Sequence, residues 1–232
     1  IIHTYGVVKQ AEELAGRMHL SAEDNDLARL IALLHDIGRF EQLKRYDSFE
    51  PGTMDHAAYG VKVLFDEGMI RRFLPDDKWD SIIYTAIAHH SDYELPEISD
   101  PQTLLHAKLI RDEDKLDNCR VKLVDSTSTF INVSEEELGT QNITQKVYET
   151  VFENKCILSA DRVTQMDYWV SYIVYFFDIN FKESFDIIAE NDYLNRIIDR
   201  ISYSNPVTKE QMENIRVYMQ NFINSHTNSQ SF

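Results

Sequence analysis

Residues 27–40 read LARLIALLHDIGRF. Leu27, Leu30, Ile31 and Leu34 recur at i, i+3, i+4 and i+7, the spacing of one buried helix face. The next turn of that face carries His35 and Asp36 instead of another leucine, then Gly38, a residue that commonly stops a helix. An apolar face that ends this way aims an imidazole and a carboxylate at the core, where polar groups without partners are costly. Fold and chemistry both turn on what else lies in phase with them.

Helical periodicity runs along most of the 232 residues, with only 7 glycines and 5 prolines to interrupt it. Alternation of the strand type never extends beyond about four residues. The spacing predicts helices near 3–19, 23–37, 54–70, 77–91, 101–119, 143–155, 161–178, 181–190, 192–202 and 207–224, an all-α fold. Ser21 with Asp24 forms a capping pair before the second helix, and Pro206 marks the start of the last. Residues 39–53, with Pro51-Gly52, and residues 91–101 read as polar loops, each directly after a histidine-bearing helix end, where loops often carry substrate contacts. The tail SHTNSQSF, 225–232, reads as a fraying end.

The chemistry changes near residue 120. Seven of the eight histidines lie before it, and an aromatic-rich part follows, with Tyr168, Trp169, Tyr172, Phe176 and Phe185 at helical spacing. The expected organisation is a helical core over 1–120 and C-terminal helices over 121–232 packed on it as one compact unit. The aromatic helices at 168–185 serve either as intramolecular core or as the face of a homodimer.

The net charge of -16, with scattered Lys and Arg, argues against a nucleic-acid polymer or an anionic membrane as partner. A small anionic substrate stays open where a metal supplies positive charge locally. No apolar run reaches transmembrane length and no secretory signal is visible. Cys119 and Cys156 show no pairing pattern, which suits free thiols in a cytoplasmic protein.

Five helices each place a His or Asp in phase with an apolar face. His3 precedes Val7, Ala11 and Leu14, and His56 leads Gly60, Val63 and Leu64. Ile82, Ile83, Ala86 and Ile87 run into His89 and His90, and Leu104, Ala107 and Ile110 run to Asp114 and Asp117. One such histidine is ordinarily a hydrogen-bonded core residue. Five with two carboxylates would together cost several kcal/mol, roughly, if buried without partners. A metal centre supplies a partner for every group at once. Imidazole and carboxylate without thiolate suit Fe, Mn, Co, Ni or Zn. Seven candidate ligands exceed one tetrahedral shell and fit two divalent metals, with Asp36 as the natural bridge.

These residues resemble the HD superfamily of metal-dependent phosphohydrolases. Its pattern of a His, a later His-Asp doublet and a later Asp is matched by His3, His35-Asp36 and Asp114 within RDEDKLD. The fuller binuclear pattern is matched by His56 in DHAAYG and by His89-His90 in AIAHHSDY. The resemblance covers roughly residues 1–120 and implies one metal held by His3, His35, Asp36 and Asp114. A second is implied on Asp36, His56, and His90, His89 or both, with Fe or Mn the leading metals. Arg39 stands where many relatives carry a Lys or Arg, and it serves either as a phosphate clamp or as a solvated helix-end cation. Lys115 is a second candidate for the phosphate. Asp117 suits a supporting contact or salt bridge, Asp112 and Glu113 a solvated face, and His19, His106 and His226 ordinary structural positions.

The resemblance implies hydrolysis of a small, nucleotide-type phosphate ester by metal-activated water. Asp36 and Asp114 would hold metal, Arg39 is a candidate for meeting the phosphate, and no general acid stands out, a histidine not used as a ligand, such as His89, being one candidate. The alternatives are the di-iron oxygenases of the same superfamily and a non-catalytic regulatory domain. The cyclic-di-GMP branch carries a DGxGYP element after its His-His doublet. Here SDYELPEISDP follows, which argues against that substrate.

Overall fold

The computed structural model describes residues 1–47 and 52–227. Among them there are helices and turns but no strand. Residues 48–51 of the expected 39–53 loop and residues 228–232 of the expected tail lie outside the described residues. By contact density the chain divides into two units, Ile1–Asp114 and Lys115–Phe232.

In the first unit, α1 (Ile2–Arg17) buries Val7, Ala11, Leu14 and Ala15 and packs on α2 (Ala22–Leu34). Ser21 caps α2, its hydroxyl oxygen accepting from the Asp24 amide at 3.0 Å. Gly38 does not end α2 by a left-handed turn. That helix ends at Leu34, and Gly38 has right-handed backbone at φ -68°. Its role is spatial: a Cβ there would stand 2.0 Å from the His56 carbonyl oxygen.

The expected loop after Gly38 is instead a helix, α3 (Arg39–Tyr46). Its charges support it locally, with Glu41 joined to Arg45 at 2.7 Å and to Lys44 at 3.7 Å. Asp55 caps α4 (His56–Val61), accepting from the Ala58 amide at 2.9 Å. A single π-helical turn, Lys62–Asp66, continues it, and Gly68 at φ +74° closes the turn. The expected helix over 54–70 is thus broken into pieces. Helix α5 (Asp80–Ala88) buries Ile82, Ile83, Ala86 and Ile87, while α4 packs on α3 and on α5.

Helix α6 (Pro101–Val124) starts with Pro101 in its first turn, and Asp100 accepts from the Thr103 amide at 2.7 Å. The division between the units falls within this helix, between Asp114 and Lys115.

The second unit contains α7 (Thr127–Ile131), α8 (Glu135–Thr140), α9 (Gln145–Val151), α10 (Gln165–Val174), α11 (Lys182–Glu190), α12 (Tyr193–Asp199) and α13 (Pro206–Thr227). Helices α7 and α8 are too short to show a period in sequence. Trp169, Phe176 and Phe185 are buried here, so the expected aromatic core forms around them. The carboxylate of Asp167, also buried, accepts from the amides of Thr144, Val163 and Thr164 at 2.8–3.0 Å and ties α9 to α10. Lys122 lies against Phe130 and Tyr172, its Nζ 4.2 and 4.1 Å from the ring centroids. Cys119 and Cys156 form no disulfide, and the Cys156 thiol donates to the Val174 carbonyl oxygen at 3.5 Å.

Candidate metal centre

His35 follows the last residue of α2 and is fully buried. Its Nδ1 donates to the Ala32 carbonyl oxygen at 2.7 Å, which leaves Nε2 with a lone pair. That atom is buried and has no hydrogen-bond partner. It lies 3.6 Å from Asp36 Oδ2 and 3.9 Å from Asp114 Oδ1, beyond hydrogen-bond length from both.

Two donor groups meet at His35. His3 from α1, His35 and Asp114 from α6 form one, and His35, Asp36 and His90 form the other. In each, one ligand atom per residue lies within 4.8 Å of the others. His3 Nε2 is 3.0 Å from Asp114 Oδ1 and 3.9 Å from Asp36 Oδ2. His56 adjoins the second group, its Nε2 3.4 Å from Asp36 Oδ1 and 3.1 Å from His90 Nε2. His90 repeats the His35 arrangement, its Nδ1 donating to the Ile87 carbonyl oxygen at 2.7 Å. The four rings follow one another edge-on in the order His3, His35, His90, His56, with centroids 5.7, 5.2 and 5.1 Å apart. Asp36 therefore lies within 3.9 Å of a ring nitrogen from each of the four histidines.

Burial dictates the charge states. It lowers His35 and, with help from the Arg39 cation and His90, lowers His56 to about 3, so both are neutral at physiological pH. Burial works against ionising Asp36, yet His35, His90 and Arg39 around it hold it well below the usual carboxylate range. Burial likewise opposes Asp114, and the hydrogen bond and charge of His3, with His35, outweigh it. Neutral imidazoles and ionised carboxylates are the states that ligate a cation. The donor set is nitrogen and oxygen without sulfur, and an orphaned buried nitrogen stands at its centre. Both features fit divalent transition metals.

The remaining predicted residues separate. His89 does not join either donor group; its Nδ1 pairs with Asp92 Oδ2 at 2.6 Å, and the side chain is 34% exposed. Arg39 opens α3, with its Nε donating to Asp36 Oδ1 at 2.8 Å and its side chain 30% exposed. Lys115 pairs with Asp178 at 2.6 Å within the second unit. Asp117 is fully buried and receives Arg120 at 2.6 and 2.9 Å. Asp112 and Glu113 are a correction: rather than a solvated face, both are buried, at 0% and 1% exposure. Spacing treats a run of acids as solvated, but the middle of α6 is covered on nearly all sides. His106 is fully buried and pairs with Asp24 at 3.1 Å, whereas His226 stacks on Phe185 and His19 is exposed. Sequence reasoning missed Arg111, buried at 1% one turn before Asp114, and Asp92, the partner of His89.

A model of the HD domain family matches residues 1–119. Neither a curated protein nor a solved structure matches the chain.

Proposed function

The chain belongs to the HD domain family, typically metal-dependent phosphohydrolases, and from that premise we propose that it hydrolyses a small phosphate ester at a two-metal centre. The observation that supports this most directly is the buried, unpartnered Nε2 of His35 at the junction of two donor groups. His3, His35, Asp36 and Asp114 would hold one divalent metal, iron or manganese by ligand type. Asp36, His56 and His90 would hold the other. Metals bound there supply positive charge to the phosphate and acidify a water molecule.

The chain's own groups do the rest. The Ala32 and Ile87 carbonyls fix the tautomers of His35 and His90, so that each presents Nε2 to the centre. Arg39, partly exposed beside Asp36, would meet a phosphate oxygen with its guanidinium. His89 is oriented through Nδ1 by Asp92 and retains Nε2 as the atom that returns a proton to the departing oxygen. Among the described residues no helix is long and apolar enough to cross a membrane, and a cytoplasmic small molecule is the substrate class proposed.

The test is metal analysis of the purified protein together with hydrolysis assays on nucleoside monophosphates, cyclic nucleotides, dinucleoside polyphosphates and generic phosphoesters. Phosphate release that needs added Mn or Fe and disappears in Asp36→Ala supports the reading. Oxygen consumption with a polyol, and no hydrolysis of any phosphoester, would replace it with the oxygenase alternative.

A further inference from the structure

Arg111 is among the largest fully buried side chains of the protein, and the reaction outlined above gives it no task. Its guanidinium is turned toward backbone. Nη1 donates to the His89 carbonyl oxygen at 2.9 Å and lies 3.4 Å from that of His90, while Nη2 lies 3.5 Å from that of Tyr93. All three carbonyls belong to the turn that follows α5.

Helix ends leave carbonyls without intrahelical partners and carry partial negative charge. Many helices resolve this with a glycine in left-handed conformation just past the end. Helix α5 does not: His89 follows it at φ -111° and ψ 8°, and His90 comes next. The chain uses a planar cation from another helix in that place. A guanidinium fork can reach several carbonyls at once from one fixed plane, as an ammonium cannot.

The location gives the contact its consequence. Arg111 stands three residues before Asp114 on α6, one helical turn away. One stretch of α6 therefore carries a carboxylate of the first donor group and grips the turn that carries His90 of the second. We propose that Arg111 is a positioning residue for the second metal: it holds the His89–Tyr93 turn in register with Asp114, so that His90 Nε2 faces Asp36. The inference rests on the two-metal reading given above. It is specific to the His90 side, since His3, His35 and Asp114 reach the first group from α1, the end of α2, and α6 itself.

The experiment is Mn(II) titration of the full chain and of Arg111→Met, Arg111→Lys and His90→Ala. Bound metal is counted, and electron paramagnetic resonance distinguishes a coupled pair from an isolated ion. Loss of a contact that orients a ligand typically weakens metal affinity about 10–100-fold. Arg111→Met is expected to keep the first Mn(II) with near-native affinity and to weaken the second by about that factor, matching the spectrum of His90→Ala. Arg111→Lys, which can still donate to one or two carbonyls, is expected to fall between. Circular dichroism and melting of the metal-free proteins run alongside. If Arg111→Met fails to fold, Arg111→Lys decides: second-metal affinity equal to wild type overturns the proposal. Equal weakening of both metals also overturns it, because that is the signature of general loosening. Wild-type protein that binds fewer than two Mn(II) overturns the two-metal reading itself, and that result is seen before any variant is compared.

Discussion

The Nε2 atoms of His56 and His90 face each other at 3.1 Å, although His90 has already committed its Nδ1 proton to the Ile87 carbonyl. Two imidazole lone pairs cannot share that distance without a proton or a cation between them. In the metal-free protein a proton on His56 Nε2 serves; a cation beside Asp36 would take both nitrogens as ligands instead. Metal binding is therefore expected to stabilise the fold. At a free metal concentration 100 times the dissociation constant the gain is about 2.7 kcal/mol. Thermal melting with Mn(II) and with excess chelator checks this, and His56→Ala should reduce the difference. Identical melting with metal and with chelator would contradict it.

Gly38 is held by space. A methyl group there would overlap the His56 carbonyl oxygen at 2.0 Å and press on the Gly60 amide at 2.9 Å, both backbone atoms that cannot swing away. Gly38→Ala is expected to cost about 1–3 kcal/mol or more, as overpacking does. It should also part the His35-Asp36 turn from α4, so metal binding falls with stability. Urea unfolding and metal titration on the same variant test the two effects together.

The residues of the candidate centre were legible because each lies in phase with an apolar helix face, and the structure brings His3, His35, Asp36, His90 and Asp114 near one another, with His56 3.4 Å from Asp36. What escaped was set by contacts distant in sequence or by local charge. His106 finds Asp24 across 82 residues, and Arg111 finds His89 across 22, so no spacing rule reveals either. Helix α3 looked like loop because its apolar residues stay outside. Phe40 and Tyr46 are 62% and 48% exposed, and the helix rests on its ion pairs instead. Asp112 and Glu113 looked solvated because acids usually are.

Acid should unfold the metal-free protein early. His35, His56 and His106 are each lowered, chiefly by burial, and His56 is lowered to about 3. Below about pH 6.5 the unfolded chain protonates these rings while the fold resists, so the unfolded state binds more protons and stability rises with pH. The contribution is present above about 6.5 and is lost as pH falls, down to about 3 for His56, at up to about 1.4 kcal/mol per pH unit for each ring. Denaturant midpoints between pH 7 and 4 measure the slope. His106→Gln should flatten it without touching the metal centre.

Arg39 tests substrate contact separately from metal holding. Its Nε binds Asp36 Oδ1, yet Asp36 keeps His35 and His90 nearby without it. Arg39→Ala is expected to leave both metals bound and to raise KM for a phosphoester about tenfold, the loss of roughly one charge-assisted hydrogen bond. Lys115→Ala, which breaks the pair with Asp178, should leave KM unchanged. A larger KM effect from Lys115 than from Arg39 would exchange their assigned roles.

Glu113 gives a pH effect of the opposite sign. It is 1% exposed, and neither carboxyl oxygen has a hydrogen-bond partner. Burial, and then the charges of Asp112 and Asp114, raise it well above the usual carboxylate range. The unfolded chain gives up this proton near pH 4.5 while the fold keeps it, so the native state binds more protons and stability falls as pH rises toward the raised value. The histidine contributions are complete by about pH 6.5, and the Cys119 thiol, raised by burial to about 12, adds a loss only above the ordinary thiol range near 9. The part of any decline above pH 6.5 in metal-free protein that Glu113→Gln removes therefore belongs to Glu113. Glu113→Gln keeps the shape and removes the proton. It should lessen that decline, so that the variant gains on wild type as pH rises. Stability curves of the two proteins that stay parallel from pH 6.5 to 8.5 would show that Glu113 is already ionised and compensated in the fold.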